Sequence, residues 1–259
     1  MRKQIAAAVL AGLTMLAGGS ALADGMSRGS IKDAPVATPS WSGFYLGAGV
    51  GYGHMLGDNK YSDDFGPGTF QSWTNDSAGG GFGTVVIGFD RLVRERYVVG
   101  LFADADWGSI EGHFRNSDPP ATDDSFRIRN AYSVGARAGF LMTPTSLLFA
   151  TAGYSWAKIK SNGYFDVVNS ADPDDIVLGK RSVSLQGPFV GIGMETQLGR
   201  NWSLRGEARY TMFNEVTTAS GQFLDDTIFV DKLDANLLTA RLAVIYKFNR
   251  DEAPVAPIK

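Results

Sequence analysis

The sequence predicts an all-β fold, an eight-stranded antiparallel up-and-down transmembrane β-barrel, and three observations carry that expectation. Apolar and polar residues alternate with period two in eight segments along residues 41–248. The connections between those segments alternate between long and short without a break in parity. Aromatic residues collect at the segment ends, with aliphatic and small residues between them.

Composition agrees with this class. The 259 residues include 32 glycines and 12% aromatics, with a net charge of only −3. Such a chain fits a sheet protein better than a helical one. The absence of cysteine excludes a disulfide framework, a thiolate metal site and lipid attachment near the N-terminus. The slight acidity gives no reason to expect nucleic acid as a partner.

The N-terminus reads as a secretory signal peptide over residues 1–23: Arg2 and Lys3, an apolar run over 5–19, then Ala21-Leu22-Ala23 as the cleavage site. Residues 24–40 carry Pro35 and Pro39 and no periodicity, so they are expected to form a periplasmic linker. Beyond the signal, no run approaches the ~20 apolar residues of a transmembrane helix.

The eight segments follow in order. The first, 41–53, sets Phe44, Leu46, Ala48, Val50 and Tyr52 against Gly47, Gly49 and Gly51. The second, 83–90, offers Val85, Ile87 and Phe89. In the third, Tyr97, Val99, Leu101, Ala103, Ala105 and Trp107 oppose Gly100, Asp104 and Asp106. The fourth places Ile128, Tyr132, Val134, Ala136, Ala138 and Phe140 against Arg127, Arg129, Ser133, Gly135, Arg137 and Gly139. The fifth alternates Leu148, Ala150, Ala152, Tyr154 and Trp156 with Thr151, Gly153 and Ser155. The sixth has Val190, Ile192 and Met194 opposite Gly191, Gly193 and Glu195, with Pro188 near its start, where a lost ladder hydrogen bond is tolerable. The seventh sets Trp202, Leu204, Ala208, Tyr210 and Met212 against Arg205, Glu207 and Arg209. The eighth sets Leu238, Ala240, Leu242, Val244, Tyr246 and Phe248 against Thr239, Arg241 and Lys247.

A soluble sandwich or lipocalin would alternate too. The segments, however, match the ~9–11 tilted residues that cross a bilayer rather than the ~5–6 of globular strands. Long connections (54–80, 109–124, 158–181, 213–232) and short ones (91–96, 141–145, 198–201) take turns, as external loops and periplasmic turns do. With the first strand rising from the periplasm, Trp41, Phe89, Tyr97, Phe140, Trp202 and Tyr246 fall at the lower ends. Tyr52, Trp107, Trp156 and Tyr210 fall at the upper ends. These two sets are expected to form the membrane-girdle aromatics.

If the aliphatic face meets lipid, then Asp104, Asp106, Arg127, Arg129, Arg137, Glu195, Arg205, Glu207, Arg209, Arg241 and Lys247 point into the lumen. An eight-stranded barrel is just wide enough for side chains to fill it, and buried charges must pair. The expectation is a packed lumen charge network rather than a catalytic cluster or a wide pore. The two histidines, His54 and His113, fall near the outer mouth, and Ser109, Glu111 and His113 lie close in sequence. A rim hydrolase acting on lipid needs such a trio, but three residues of these types in one loop arise easily by chance. The acidic long connections lack the spacing of a calcium loop, and no phosphate-binding or zinc-hydrolase motif occurs. No cofactor and no enzyme activity are expected.

Residues 41–53, Trp-Ser-Gly-Phe-Tyr-Leu-Gly-Ala-Gly-Val-Gly-Tyr-Gly, resemble the first strand of the porin-family outer-membrane surface proteins with an OmpA-like eight-stranded barrel. Residues 201–210 resemble that family's seventh strand, and residues 242–248 its closing strand. The resemblance implies localisation in the cell outer membrane, contact with outer-membrane lipid and lipopolysaccharide, and a structural and surface-antigen role in envelope integrity. It also implies that the terminal aromatic, here Phe248, is the assembly signal read by the barrel-assembly machinery. The family's name does not by itself imply conduction, so a narrow channel for ions or small solutes is the alternative. The chain departs from the family in its short C-terminal tail, 249–259, which is too small for a peptidoglycan-binding domain.

Overall fold

A computed structural model describes residues 41–63, 66–70, 78–115, 123–161, 176–179, 182–222 and 228–248. The expected signal peptide, linker and tail lie outside these residues. All regular structure within them is strand. Eight long strands make the barrel: β1 (Gly43–Asp63), β3 (Ala78–Val93), β4 (Tyr97–Arg115), β5 (Asp123–Thr143), β6 (Ser146–Ser161), β8 (Ser182–Gln197), β9 (Trp202–Met212) and β11 (Ile228–Lys247). Each pairs antiparallel with the next, and β1 pairs with β11 from Tyr45–Lys247 to Asp63–Phe229, which closes the wall. Closure leaves no edge in the bilayer, where an unpaired backbone group would cost several kcal/mol.

The outward face is the one the alternation predicts. Phe44, Leu46, Val50, Val85, Ile87, Val99, Leu101, Val134, Val190, Ile192, Leu242 and Val244 are all exposed on the barrel wall. Below them, Phe44 and Phe89 stack edge-on at 4.9 Å, as do Trp202 and Tyr246, with Phe248 against Tyr246 at 5.2 Å. Tyr97 lies 6.1 Å from Phe140 in the same lower belt. The upper belt holds Tyr52, Trp107 and Trp156, all exposed, and Tyr210, which is half-buried. Tyr132 joins it, paired across the sheet with Trp156. From Phe44 to Tyr52 a strand at ~3.3 Å per residue, tilted by ~40°, climbs about 20 Å, close to the apolar band of an outer membrane.

The strands do not stop at the upper belt, and three short strands join them there: β2 (Gly66–Phe70), β7 (Ile176–Gly179) and β10 (Val216–Gln222). β2 folds back on β1, β10 pairs with the upper part of β11, and β7 pairs with β10. These lie in stretches expected to be loops. The reason is a change of polarity above the belt. There the inward positions are apolar (Met55, Ile110, Ile128, Ala157, Ile159, Val183, Leu185, Phe213, Leu233, Ala235, Leu237) and pack with Phe82 into one buried cluster. The outward alternates are Asn130, Lys158, Lys160, Ser184, Gln186 and Asn236. A sheet wet outside and apolar inside is stable in water, so the ladder continues beyond the bilayer.

Candidate functional site

The candidate site is the lumen, which is filled in layers. At the bottom, Trp41 packs with Val98, Leu147 and Phe149. Trp41 was expected in the girdle; it is instead inside the barrel, 1% exposed. It shares the parity of Gly43 and Tyr45, which face inward, whereas Phe44 and Leu46 face out. Its indole N–H donates to the Pro144 carbonyl at 3.0 Å, and the Lys247 ammonium sits 4.4 Å from its ring centre.

Above this floor lies the lower ionic layer: Asp90, Arg137, Glu195, Arg205 and Lys247. The Arg137 guanidinium donates through Nε to Asp90 at 2.8 Å and through Nη1 to Glu195 at 2.8 Å, while Nη2 also bonds Asp90. Arg205 Nε donates to Glu195 at 2.9 Å, and the Ser203 hydroxyl donates to its other oxygen at 2.7 Å. Lys247 Nζ lies 3.4 Å from both carboxylates. Asp90, on β3, and Arg137, on β5, flank Gly100 on the intervening β4. A Cβ at Gly100 would collide with the Asp90 carboxylate, so only glycine lets the ion pair form across that strand.

Tyr45, Val86, Phe102, Phe189, Ala243 and Ile245 form a buried cluster beside the charges. Arg205 stacks on Tyr45 at 4.5 Å and Arg209 on Phe189 at 4.2 Å. The upper ionic layer is Asp104, Asp106, Glu207, Arg209 and Arg241. Arg209 Nη2 donates to Asp104 at 2.9 Å and Nε to Glu207 at 3.2 Å. Arg241 bridges Asp104 at 3.1 Å and Asp106 at 2.8 Å, and the Thr151 hydroxyl holds Glu207 at 2.8 Å. Taken together, the two layers oppose five acids with five bases. The space between them is ≈ 20 Å³ for the centre of a water molecule, room for about one water. The apolar cluster above the belt then caps the column.

Nine of the eleven residues named from the sequence therefore meet in these layers: Asp104, Asp106, Arg137, Glu195, Arg205, Glu207, Arg209, Arg241 and Lys247. Arg127 and Arg129 do not. A β-bulge between Ile128 and Asn130 shifts the register against β6, so the parity that puts Ala131, Ser133 and Arg137 inward puts Ile128 inward before it. Arg127 and Arg129 then leave the lumen: Arg129 is exposed, and Arg127 is bonded at 2.6 Å to Glu111 with about 40% of each side chain open. Asp90 was missed although it shares the parity of Thr84 and Val86 opposite Ile87 and Phe89. The stacking aromatics Tyr45, Phe102, Phe149 and Phe189 share the inward parity too, but an aromatic at such a position gives no charge signal to mark it. The Ser109 hydroxyl donates to Glu111 at 2.6 Å; His113 lies on β4, its side chain outside those described. Among the described residues no cluster of His, Asp and Glu able to hold a metal occurs. Phe248, exposed on the wall, donates its N–H to the Phe44 carbonyl at 3.0 Å.

Residues 9–248 match the family described as Outer membrane protein beta-barrel domain. The chain is 25% identical over 227 residues to the 31 kDa outer-membrane immunogenic protein of Brucella melitensis biotype 1, covering 83% of this chain and 87% of the relative. It matches the protein of the same name from Brucella suis biovar 1 at the same identity and coverage. Among solved structures it is similar in fold to the outer membrane protein OprG of Pseudomonas aeruginosa, with a TM-score of 0.52 and 10% identity over 82% of this chain and 99% of that one. The closed eight-stranded wall, its two aromatic belts and the family match agree: the chain belongs to the outer-membrane β-barrel proteins and is seated in the outer membrane.

Proposed function

We propose that the protein is a structural barrel that supports envelope integrity and presents its outer connections to the medium, with neither a conducting lumen nor a catalytic site. The observation that carries this reading is the filled lumen: a floor of Trp41 and Leu147, two ion-paired layers and an apolar cap stack along the barrel axis. A hydrated ion has no continuous polar path through two apolar layers. The relatives' description as immunogenic supports surface presentation. Phe248, at the end of the closing strand, is in place to serve as the signal for the barrel-assembly machinery.

The test is conductance of the purified barrel in planar bilayers. The expected result is no single-channel steps, and none in a variant with Ile159 and Leu237 cut to Ala. Steps that vanish when Arg137 or Arg209 is replaced by Glu would overturn the reading in favour of a narrow channel. Replacing Ser109 and His113 by Ala is expected to leave lipid A composition unchanged; altered lipid A would point to rim enzyme activity.

A further inference from the structure

We propose that the outward face of β5 and β6, just above the upper aromatic belt, is a docking site for the phosphate groups of lipid A, with Arg129, Lys158 and Lys160 as its cations. The bulge on β5 sets Asn130 opposite Lys158 and leaves Arg129 as the extra residue between Ile128 and Asn130, and Arg127 pairs across the sheet with Lys160. Arg129 follows the inward-facing Ile128 in the chain, so alternation turns its exposed side chain outward. Arg129, Lys158 and Lys160 are all exposed. On the adjacent strand, Ser184 and Ser182 stand opposite Lys158 and Lys160 and add hydroxyl donors to the same face. Among the described side chains of this face the carboxylate is Glu111, which the Arg127 ion pair and the Ser109 hydroxyl already engage.

Depth selects the ligand. Tyr132 and Trp156, paired across the same two strands, mark the top of the apolar band. Asn130 and Lys158 lie two residues higher, a rise of about 5 Å on a tilted strand. Acyl chains packed below the aromatics and phosphate above them is the layering of a lipid headgroup. The patch is also one-sided. At similar height on β10 and β11 the outward residues are Asp234 and Asn236, with Glu215 just before β10 paired to Lys232 at 3.0 Å. A uniformly cationic rim would fit any anionic surface; a patch that, among the described side chains, is concentrated on β5 and β6 fits a discrete, doubly charged headgroup. Lipid A in the outer leaflet is that headgroup. The proposal rests on the outer-membrane seating of the proposed function but not on its sealed lumen, so conductance would leave it untouched.

The experiment uses the full refolded barrel in zwitterionic detergent with chelator present. Binding of bis-phosphorylated lipid A and of enzymatically dephosphorylated lipid A is followed by tryptophan fluorescence and by native mass spectrometry. The phosphorylated form should bind tighter on the order of tenfold or more, as several bases at a membrane surface allow. The triple variant Arg129→Gln, Lys158→Gln, Lys160→Gln should lose that preference while keeping its heat-dependent gel shift. The variant Arg91→Gln, Arg94→Gln, Arg96→Gln, which removes the same charge at the opposite end, should keep it. If the triple variant does not fold, Lys158→Gln alone should weaken phosphorylated lipid A and not the dephosphorylated form. Equal binding of the two lipids, an unchanged preference in the variants, equal loss in the opposite-end control, or full displacement by millimolar inorganic phosphate would overturn the proposal.

Discussion

Arg137 illustrates how single residues hold the lumen. Its three nitrogens all donate to Asp90 or Glu195, and its guanidinium lies 5.2 Å from the rings of both Tyr45 and Phe149. Removing one partner of a buried pair leaves the other charge without compensation, at a cost of roughly 3–5 kcal/mol. Arg137→Met should therefore lower the unfolding free energy in lipid vesicles by about that amount, read from urea titrations of tryptophan fluorescence. Asp90→Asn combined with Arg137→Met should cost less than the sum of the single changes, because the two share one interaction. A double variant as damaging as the sum would show that the pair does not act as a unit. Most of this layer was legible in the sequence, since Arg137, Glu195 and Arg205 each sit on the polar side of a period-two segment. Asp90 is not, because its segment signals mainly through its aliphatic face. Trp41 was misplaced for a related reason: its type suggested the girdle, while its parity with Tyr45 placed it inside.

At the scale of elements, the unforeseen feature is the inversion of polarity along one strand. On β6, Leu148, Ala152 and Trp156 face lipid; directly above, Ala157 and Ile159 face inward while Lys158 and Lys160 face water. The mark of the crossing is an adjacent apolar pair, Trp156-Ala157 on β6 and Leu237-Leu238 on β11, where alternation skips a beat. In the sequence that skip looks like the end of a strand, so the upper halves of the long strands look like loops. The bulge at Arg129 hid in the same way, because one extra residue swaps faces without changing composition. The cap makes a prediction: Ile159→Ala and Phe213→Ala should each cost about 2–5 kcal/mol, as buried large-to-small changes do. Leu101→Ala, on the lipid face, should cost less in the same urea titration. The turn between β3 and β4 makes another. Arg94 and Glu95, the first two residues of this three-residue turn, hold φ of 49° and 58°, left-handed values that Asn and Gly adopt at less cost. Glu95→Gly should raise stability by roughly 1 kcal/mol; a decrease would mean that the Glu95 side chain offsets the strain.

For the whole molecule, the order of the layers decides how the barrel responds to its surroundings. The two ionic layers together lie between apolar ones, so their charges are shielded from solvent by Trp41 and Leu147 below and by Phe82, Ile110 and Leu185 above. Surface ion pairs weaken as salt rises, because the screening length falls from about 10 Å at ~0.1 M to about 3 Å at ~1 M. Pairs that salt cannot reach do not. The closed barrel should resist SDS in the cold, migrate faster on gels unboiled, and slow on heating once the wall opens. The temperature of that shift should stay nearly constant from ~0.1 M to ~1 M sodium chloride, because the stabilising charges are buried and the rim pairs, such as Arg127 with Glu111, contribute little. Arg137→Met should lower the shift temperature at every salt concentration, whereas Arg127→Gln should not. A shift temperature that falls steeply with salt would mean that electrolyte enters the lumen, which would undo both the layered seal and the non-conducting role at once.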